Sequence, residues 1–304
     1  MPDLKAMFKL SPSMAIKYFK SKNNKLSWDW HEVWQSAHKK SFTVAKLMRE
    51  DVLQDIRNSL DKSLAEGQTF QQFQKELKPT LQKKGWWGIA AAEVADPTGL
   101  RSGKELSKQL PFPQGRQVGS QLNDGDVRVS KRNSTGAKEQ FVGDSQGNIE
   151  KVEMGSLSRL KTIYQVNMQT SYMAGRYKTQ LGNVDDRPYW QYVAVMDKRT
   201  RPEHAELNER TFRYDDPFWS SFYPPNGWRC RCRVRALTKD DLDGAEPDNS
   251  DGCLSEEMEL VSKKSGEMKP VTVYKDPLTG HKIKPDVGWS YNPGKDNGIL
   301  DDED

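Results

Sequence analysis

Residues 196–234 read MDKRTRPEHAELNERTFRYDDPFWSSFYPPNGWRCRCRV, and the fold is read outward from the way this stretch ends. From Arg229 to Ala236 arginine alternates with Cys230, Cys232, Val234 and Ala236. Successive side chains of a strand point to opposite faces. The pattern therefore predicts a strand over 229–236 with a small apolar face turned inward. Arg229, Arg231, Arg233 and Arg235 lie on its other face as a basic stripe. Upstream, PYWQYVAVMD (188–197) is an apolar, aromatic and β-branched run and predicts a buried strand over 189–197. Between the two, Pro224, Pro225 and Gly227 form a turn that delivers the second strand.

The same stretch holds the residues that carry chemistry. Guanidinium groups bind phosphate or carboxylate in a planar fork, so the stripe is a candidate anion-binding face. Pairing of these arginines with acidic residues of the same fold is the simpler reading. Cys230 and Cys232 would sit about 6.5–7 Å apart along a regular strand, too far for a ready disulfide. With a local bend they could instead chelate a metal, with His204 as third ligand and Asp197 or Cys253 as fourth. The paired spacing of a typical zinc motif is missing, and buried free cysteines also serve as small hydrophobes. No cofactor is expected on this reading, with zinc as the alternative. Asp197, His204 and a cysteine also supply the parts of a nucleophilic site. No nucleophile elbow, phosphate loop or metalloprotease helix accompanies them, so the chain reads as a non-enzyme.

Elsewhere the first 85 residues read as hairpin-connected helices. Pro12 stands at a helix start after Ser11, and Ser27 caps a helix carrying Trp28, Trp30, Val33 and Trp34. Val52, Leu53, Ile56, Leu60 and Leu64 recur at helical spacing before Gly67. Thr69 and Gln72 have capping-box form ahead of Phe70, Phe73, Leu77 and Leu81, with Gly85 as the stop. Residues 95–155 lose all periodicity and read as turns with short strands or as an irregular insertion. A long helix follows from Ser156 to Leu181. Leu157, Leu160, Tyr164 and Met168 form one face, and Ala174 and Gly175 allow close packing. The last segment is acidic, with 8 Lys/Arg and 17 Asp/Glu over 238–304, or −9 against +13 for the first 237 residues.

Hydrophobic residues make up only 35 % of the 304 and charged residues 30 %. Such a chain builds a modest core around a few large aromatic anchors. No run approaches the ~18 apolar residues of a membrane span. Residues 1–10 lack the apolar centre of a signal peptide. The expectation is a soluble protein made in a cytoplasm. A basic body with an acidic tail suits an anionic partner, or simply solubility.

The combination of Asp197, Arg199, Thr200, His204, DDPFW (215–219) and PPNGWRCRC (224–232) resembles the family typified by the F protein of phage Mu, related to the head morphogenesis proteins of phages such as SPP1. SLSRLKTIYQVNMQTSYMAGRY (156–177) resembles the helix that precedes this module in the family. AIKYFKSK, SWDW, HKKSFTVAK and KKGWWG resemble its N-terminal region, and GWSYNPG (288–294) its closing motif. The likeness thins between about 95 and 155. It implies a minor capsid protein of a tailed bacteriophage, acting near the portal in procapsid assembly and in DNA packaging or ejection. Implied partners are the portal, the scaffold or major capsid protein, and phage DNA as a secondary contact, with no membrane. The implied location is the host cytoplasm during assembly and then the virion head. No catalytic residues come with it. Asp197, Arg199, Thr200, His204, Asp216, Pro217, Trp219, Pro224, Pro225, Gly227, Cys230 and Cys232 become a structural motif. The rival readings are a zinc-dependent enzyme such as a nuclease, and a nonspecific DNA-binding protein.

The expected fold is α+β: an N-terminal helical region and a long central helix packed on a small sheet, with an extended C-terminal arm in which VTVYKD (271–276) and HKIKPDVGWSYNPG (281–294) form a small hairpin or run on extended. The expected segments are an N-terminal helical region over 1–94, the insertion over 95–155, the core module over 156–237, and the acidic arm over 238–304.

Overall fold

The computed structural model describes residues 12–92, 129–132, 138–143, 149–263 and 265–295. Ser11 and most of the 95–155 segment lie outside them. The described residues form helices and small sheets, an α+β fold. Two units divide the chain, one of Met1–Gln74 with Lys161–Asp304, the other of Lys75–Leu160. These boundaries differ from the four segments read in the sequence.

In the larger unit, helix α1 spans Pro12–Lys20 and helix α2 Glu50–Glu66. Val52, Leu53, Ile56, Leu60 and Leu64 are all buried, as their spacing predicts. Gly67 ends α2 in the left-handed region at φ 65°, where glycine carries no Cβ penalty. The capping box opens α3, Phe70–Lys83, with Thr69 N–H donating to Gln72 Oε1 at 2.8 Å and Gln72 N–H returning to Thr69 Oγ1 at 3.4 Å.

The helix expected after Ser27 does not form. Residues 27–34 are turns and a β-bridge from Ser27 to Leu47, followed by a 3-10 turn over Gln35–Lys39. The tryptophans that looked like a helical stripe take tertiary partners instead. Lys46 lies over the Trp28 ring at 4.5 Å, and Lys269 over Trp34 at 4.9 Å. Strands β1, Asn23–Asn24, and β2, Ser41–Phe42, pair in parallel beside them.

The smaller unit holds a four-stranded antiparallel sheet in the order β3-β6-β5-β4. Its strands are β3, Ile89–Ala92; β4, Val129–Arg132; β5, Lys138–Gly143; and β6, Ile149–Glu153. Of the two readings of this segment, the short strands are what the described residues form. Just past the sheet, Gly155 lets the backbone approach buried Trp86, since a Cβ there would collide with the Trp86 carbonyl.

The long helix α4 covers Leu157–Leu181, with Ser156 Oγ accepting from Arg159 N–H at 3.1 Å. Leu160, Tyr164 and Met168 are buried, but Leu157 is exposed. Ala174 and Gly175 do allow close packing, because a Cβ on Gly175 would press against Met14 and Ala15 of α1.

Three antiparallel strands follow in the order β8-β7-β9: β7, Tyr189–Val193; β8, Thr211–Arg213; and β9, Arg233–Leu237. Both predicted strands are shorter than expected, and β8 was not foreseen. Met173 and Tyr177 of α4 pack with Trp190, Tyr192, Phe212, Phe218 and Trp219 in one aromatic core. The outer edge of β9 does not stay open. Gln169 and Gln180 of α4 donate to the carbonyls of Cys232 and Val234 at 2.7 and 3.2 Å, which protects the edge against pairing with another chain.

The acidic segment is not a loose arm. Strands β10, Leu254–Ser262; β11, Glu267–Lys275; and β12, Lys282–Ile283 form an antiparallel sheet. Tyr274 and Ile283 join the aromatic core. Arg210 ties the segment down by pairing with Asp248 at 2.9 Å and with buried Asp276. Elsewhere in the segment half-buried Glu257 pairs with Lys282 at 2.5 Å. The closing GWSYNPG is buried throughout, with Asn292 donating to the Trp219 carbonyl at 3.0 Å.

Candidate metal centre

His204, Cys230 and Cys232 are brought together from two chain segments. After β7 the chain turns at Asp197, whose carboxylate accepts from Arg199 N–H at 2.9 Å, while Thr200 Oγ1 donates to the Val195 carbonyl. That turn leads into the short helix α5, Pro202–Glu206, which carries His204. Pro202 at its first position suits a helix start. The other segment arrives through Pro224 and Pro225. Gly227 is required there because a Cβ would overlap the Asp286 carboxylate. That carboxylate accepts from Trp228 N–H at 3.2 Å and pairs with Arg201 at 2.9 Å.

Arg229 then adopts φ 57°, uncommon for a residue with a side chain. The ladder with β7 begins only at Arg233, so Cys230–Cys232 lies outside the strand expected over 229–236. The inward–outward alternation nevertheless runs through the whole stretch, with Cys230, Cys232 and Val234 buried. The bend lets the two sulfurs converge. His204 Nδ1 lies 3.7 Å from Cys230 Sγ and 3.5 Å from Cys232 Sγ. The three donor atoms all lie within 4.8 Å of one another. Cys232 N–H points to Cys230 Sγ at 3.5 Å. His204 Nε2 is buried and has no hydrogen-bond partner.

Burial pushes the Cys230 thiol well above its ordinary pKa. The hydrogen bond from Cys230, followed by that from Tyr192, draws Cys232 down. Proton donation from one cysteine to the other thus leaves Cys232 the better thiolate. Burial raises the Tyr192 hydroxyl strongly, so it remains a donor. Its one proton is shared between the Cys232 sulfur and Asn226 Oδ1, the latter 3.0 Å away.

Neither candidate fourth ligand joins the cluster. Arg231 grips Asp197 through two bonds of 2.6 Å. This bidentate pair is the main cause holding the Asp197 carboxyl far below the usual carboxylate range. Cys253 is half-buried elsewhere, near the carbonyl of Asp251.

The arginine stripe is divided among partners. Arg231 pairs with Asp197 as described. Arg229 donates to Thr162 Oγ1 at 2.6 and 2.8 Å, and Arg235 to Gln191 Oε1 at 2.6 Å. Arg233 is exposed. Of the four, Arg231 is paired with an acid through a bidentate contact. Of the rest of the motif, Trp219, Pro224, Pro225 and Gly227 are buried, Thr200 and Asp216 half-buried, and Arg199 and Pro217 exposed. Asp216 Oδ1 accepts from Phe218 N–H at 2.8 Å at the start of α6, Phe218–Phe222, beside Pro217, and Trp219 Nε1 donates to the Arg213 carbonyl at 3.0 Å. Arg201, Tyr192, Asn226 and Asp286 were missed in the sequence. Only Tyr192 carried a signal, its place in the alternation of β7; Asp286 is 58 residues from Trp228 along the chain.

Comparison with known proteins agrees over nearly the whole length. The family described as "Phage Mu protein F like protein" matches residues 54–235. Over 296 residues the chain is 38 % identical to the "Putative capsid assembly protein F" of Escherichia phage Mu, covering 96 % of this chain and 56 % of that protein. It is 34 % identical over 273 residues to the "Mu-like prophage FluMu F protein" of Haemophilus influenzae, covering 88 % of this chain and 53 % of that one. The chain thus spans about half the length of these curated relatives. No solved structure matches significantly. The chain belongs to the Phage Mu protein F like family.

Proposed function

We propose that this protein acts in assembling the head of a tailed phage, as a minor component that contacts other head proteins. The observation that carries the reading is the 38 % identity, across 96 % of the chain, with a relative named as a capsid assembly protein. The finer reading is action near the portal, with the portal, the scaffold or the major capsid protein as partner and DNA as a secondary contact in packaging or ejection. The basic body supports the DNA contact, at +13 over the first 237 residues. No helix among the described residues is long and apolar enough to cross a membrane.

A protein contact is supported by one face of the β10–β11 hairpin. Met258 stands opposite Pro270 and Leu260 opposite Met268 in the ladder, and all four are exposed. Contiguous apolar side chains in the open mark contact surfaces more often than single ones do. The test is a pull-down of portal and major capsid protein of the same phage with this chain as bait. Specific recovery of either supports the reading. Recovery of neither from a lysate that forms procapsids contradicts it.

A further inference from the structure

The three donors of the candidate centre stand where the ligands of one ion would. Zinc binds thiolate sulfur at about 2.3 Å and imidazole nitrogen at about 2.0–2.1 Å, in a tetrahedral arrangement. Those lengths separate a sulfur and a nitrogen on the same ion by about 3.6 Å. Here the two sulfurs lie 3.7 and 3.5 Å from a single nitrogen, His204 Nδ1. One S–H···N hydrogen bond would explain one of these distances. It does not explain both, because the neutral imidazole nitrogen offers one lone pair.

We propose that His204 Nδ1, Cys230 Sγ and Cys232 Sγ together hold a zinc-class divalent cation. The fourth position belongs to a water or an added ligand, because a cavity of about 20 Å³ lies against the three side chains, bordered by Val195, Thr200, Arg199, Arg201, Arg229 and Arg231. That is room for about one water. The charge also balances. Two thiolates neutralise a divalent ion, so a loaded site adds no net charge to a buried place, where an uncompensated charge is costly. The backbone is arranged for it. The left-handed Arg229 swings both sulfurs to one side, and the amide of Cys232 points at Cys230 Sγ, as a thiolate acceptor requires. Asp197 is held by Arg231 and leaves the ligand set to these three residues. The ion would lock the loop and helix α5 after β7 to the segment that enters β9.

The test uses the full 304-residue chain, reduced and stripped of metal, titrated with cobalt(II) and then zinc. The expected result is saturation at one equivalent, with the intense visible bands of tetrahedral cobalt, sulfur-to-cobalt charge transfer, and displacement by zinc. Absent bands, or the weak spectrum of six-coordinate cobalt, overturn the proposal on the wild-type chain alone, whatever the variants do. Cys232→Ser and His204→Ala should each lower cobalt affinity by more than about tenfold, while Cys253→Ser leaves it unchanged. Unchanged binding in folded Cys232→Ser, or an equal loss in Cys253→Ser, overturns the ligand set.

Discussion

Asp197 closes the turn after β7 and takes both nitrogens of Arg231 in a bidentate grip. Its pKa in the folded state lies below that of the unfolded chain, chiefly through that grip. Where a folded carboxyl is depressed, the unfolded state binds more protons, so stability rises with pH through the window between the two values. The contribution is therefore complete above the unfolded carboxylate pKa of about 3.9 and fades as pH falls below it. Asp197→Asn should melt lower than the native protein at neutral pH. The gap should narrow as the pH is taken from about 5 towards 3. Thermal melts of the two proteins across that range check it, and a gap that stays constant into acid contradicts the ion pair. Arg231 is in this sense a structural residue, although the sequence presents it as one member of a binding stripe.

Among the elements, the C-terminal sheet takes up the hairpin reading of the tail, pairing β11 with β12, and adds β10 to it. Asp276 is almost fully buried and faces Arg210, which is itself largely buried and also pairs with Asp248. Removing one partner of such a pair strands the other charge, at a cost of about 3–5 kcal/mol. Arg210→Ala, which takes the cation from both Asp276 and Asp248, should lose stability of that order in denaturant unfolding, whereas a loose arm would lose almost nothing. On the opposite side of the hairpin, Met258→Asp with Leu260→Asp should leave the melting temperature nearly unchanged, because both side chains are already exposed. The same pair of changes should lower the amount of this protein recovered in procapsids, measured by quantitative mass spectrometry of purified particles.

These elements also show what the sequence displays and what it hides. The alternation from Arg229 to Ala236 was legible because a period of two depends only on the strand's own geometry. Where its ladder begins was not, because Cys230–Cys232 is bent by Arg229 and engaged by Gln169 and His204, far off in the chain. Val52 to Leu64, the Thr69–Gln72 box and Gly67 were legible because helix signals are local. Trp28, Trp30 and Trp34 misled, since their spacing imitates a helix while Trp28 packs under Lys46, Trp34 under Lys269 and Trp30 against His31 and Trp34. The acidic tail misled through composition. Its charged residues stand among Val271, Val273 and Tyr274, all of which are buried. At the centre itself, the sequence named His204, Cys230 and Cys232 as candidates, and the fold brings those three together without Asp197 or Cys253.

At the scale of the whole molecule, the exposed apolar face of the β10–β11 hairpin supports the proposed role in head assembly. The chain's relationship to the phage Mu F protein points the same way. The direct measurement is deletion of its gene from the phage that encodes it, with particles from induced cells examined by electron microscopy and assayed for packaged DNA. The account predicts normal tails beside empty or malformed heads, with complementation by the intact gene. Normal numbers of filled, infectious heads from the deletion would contradict it.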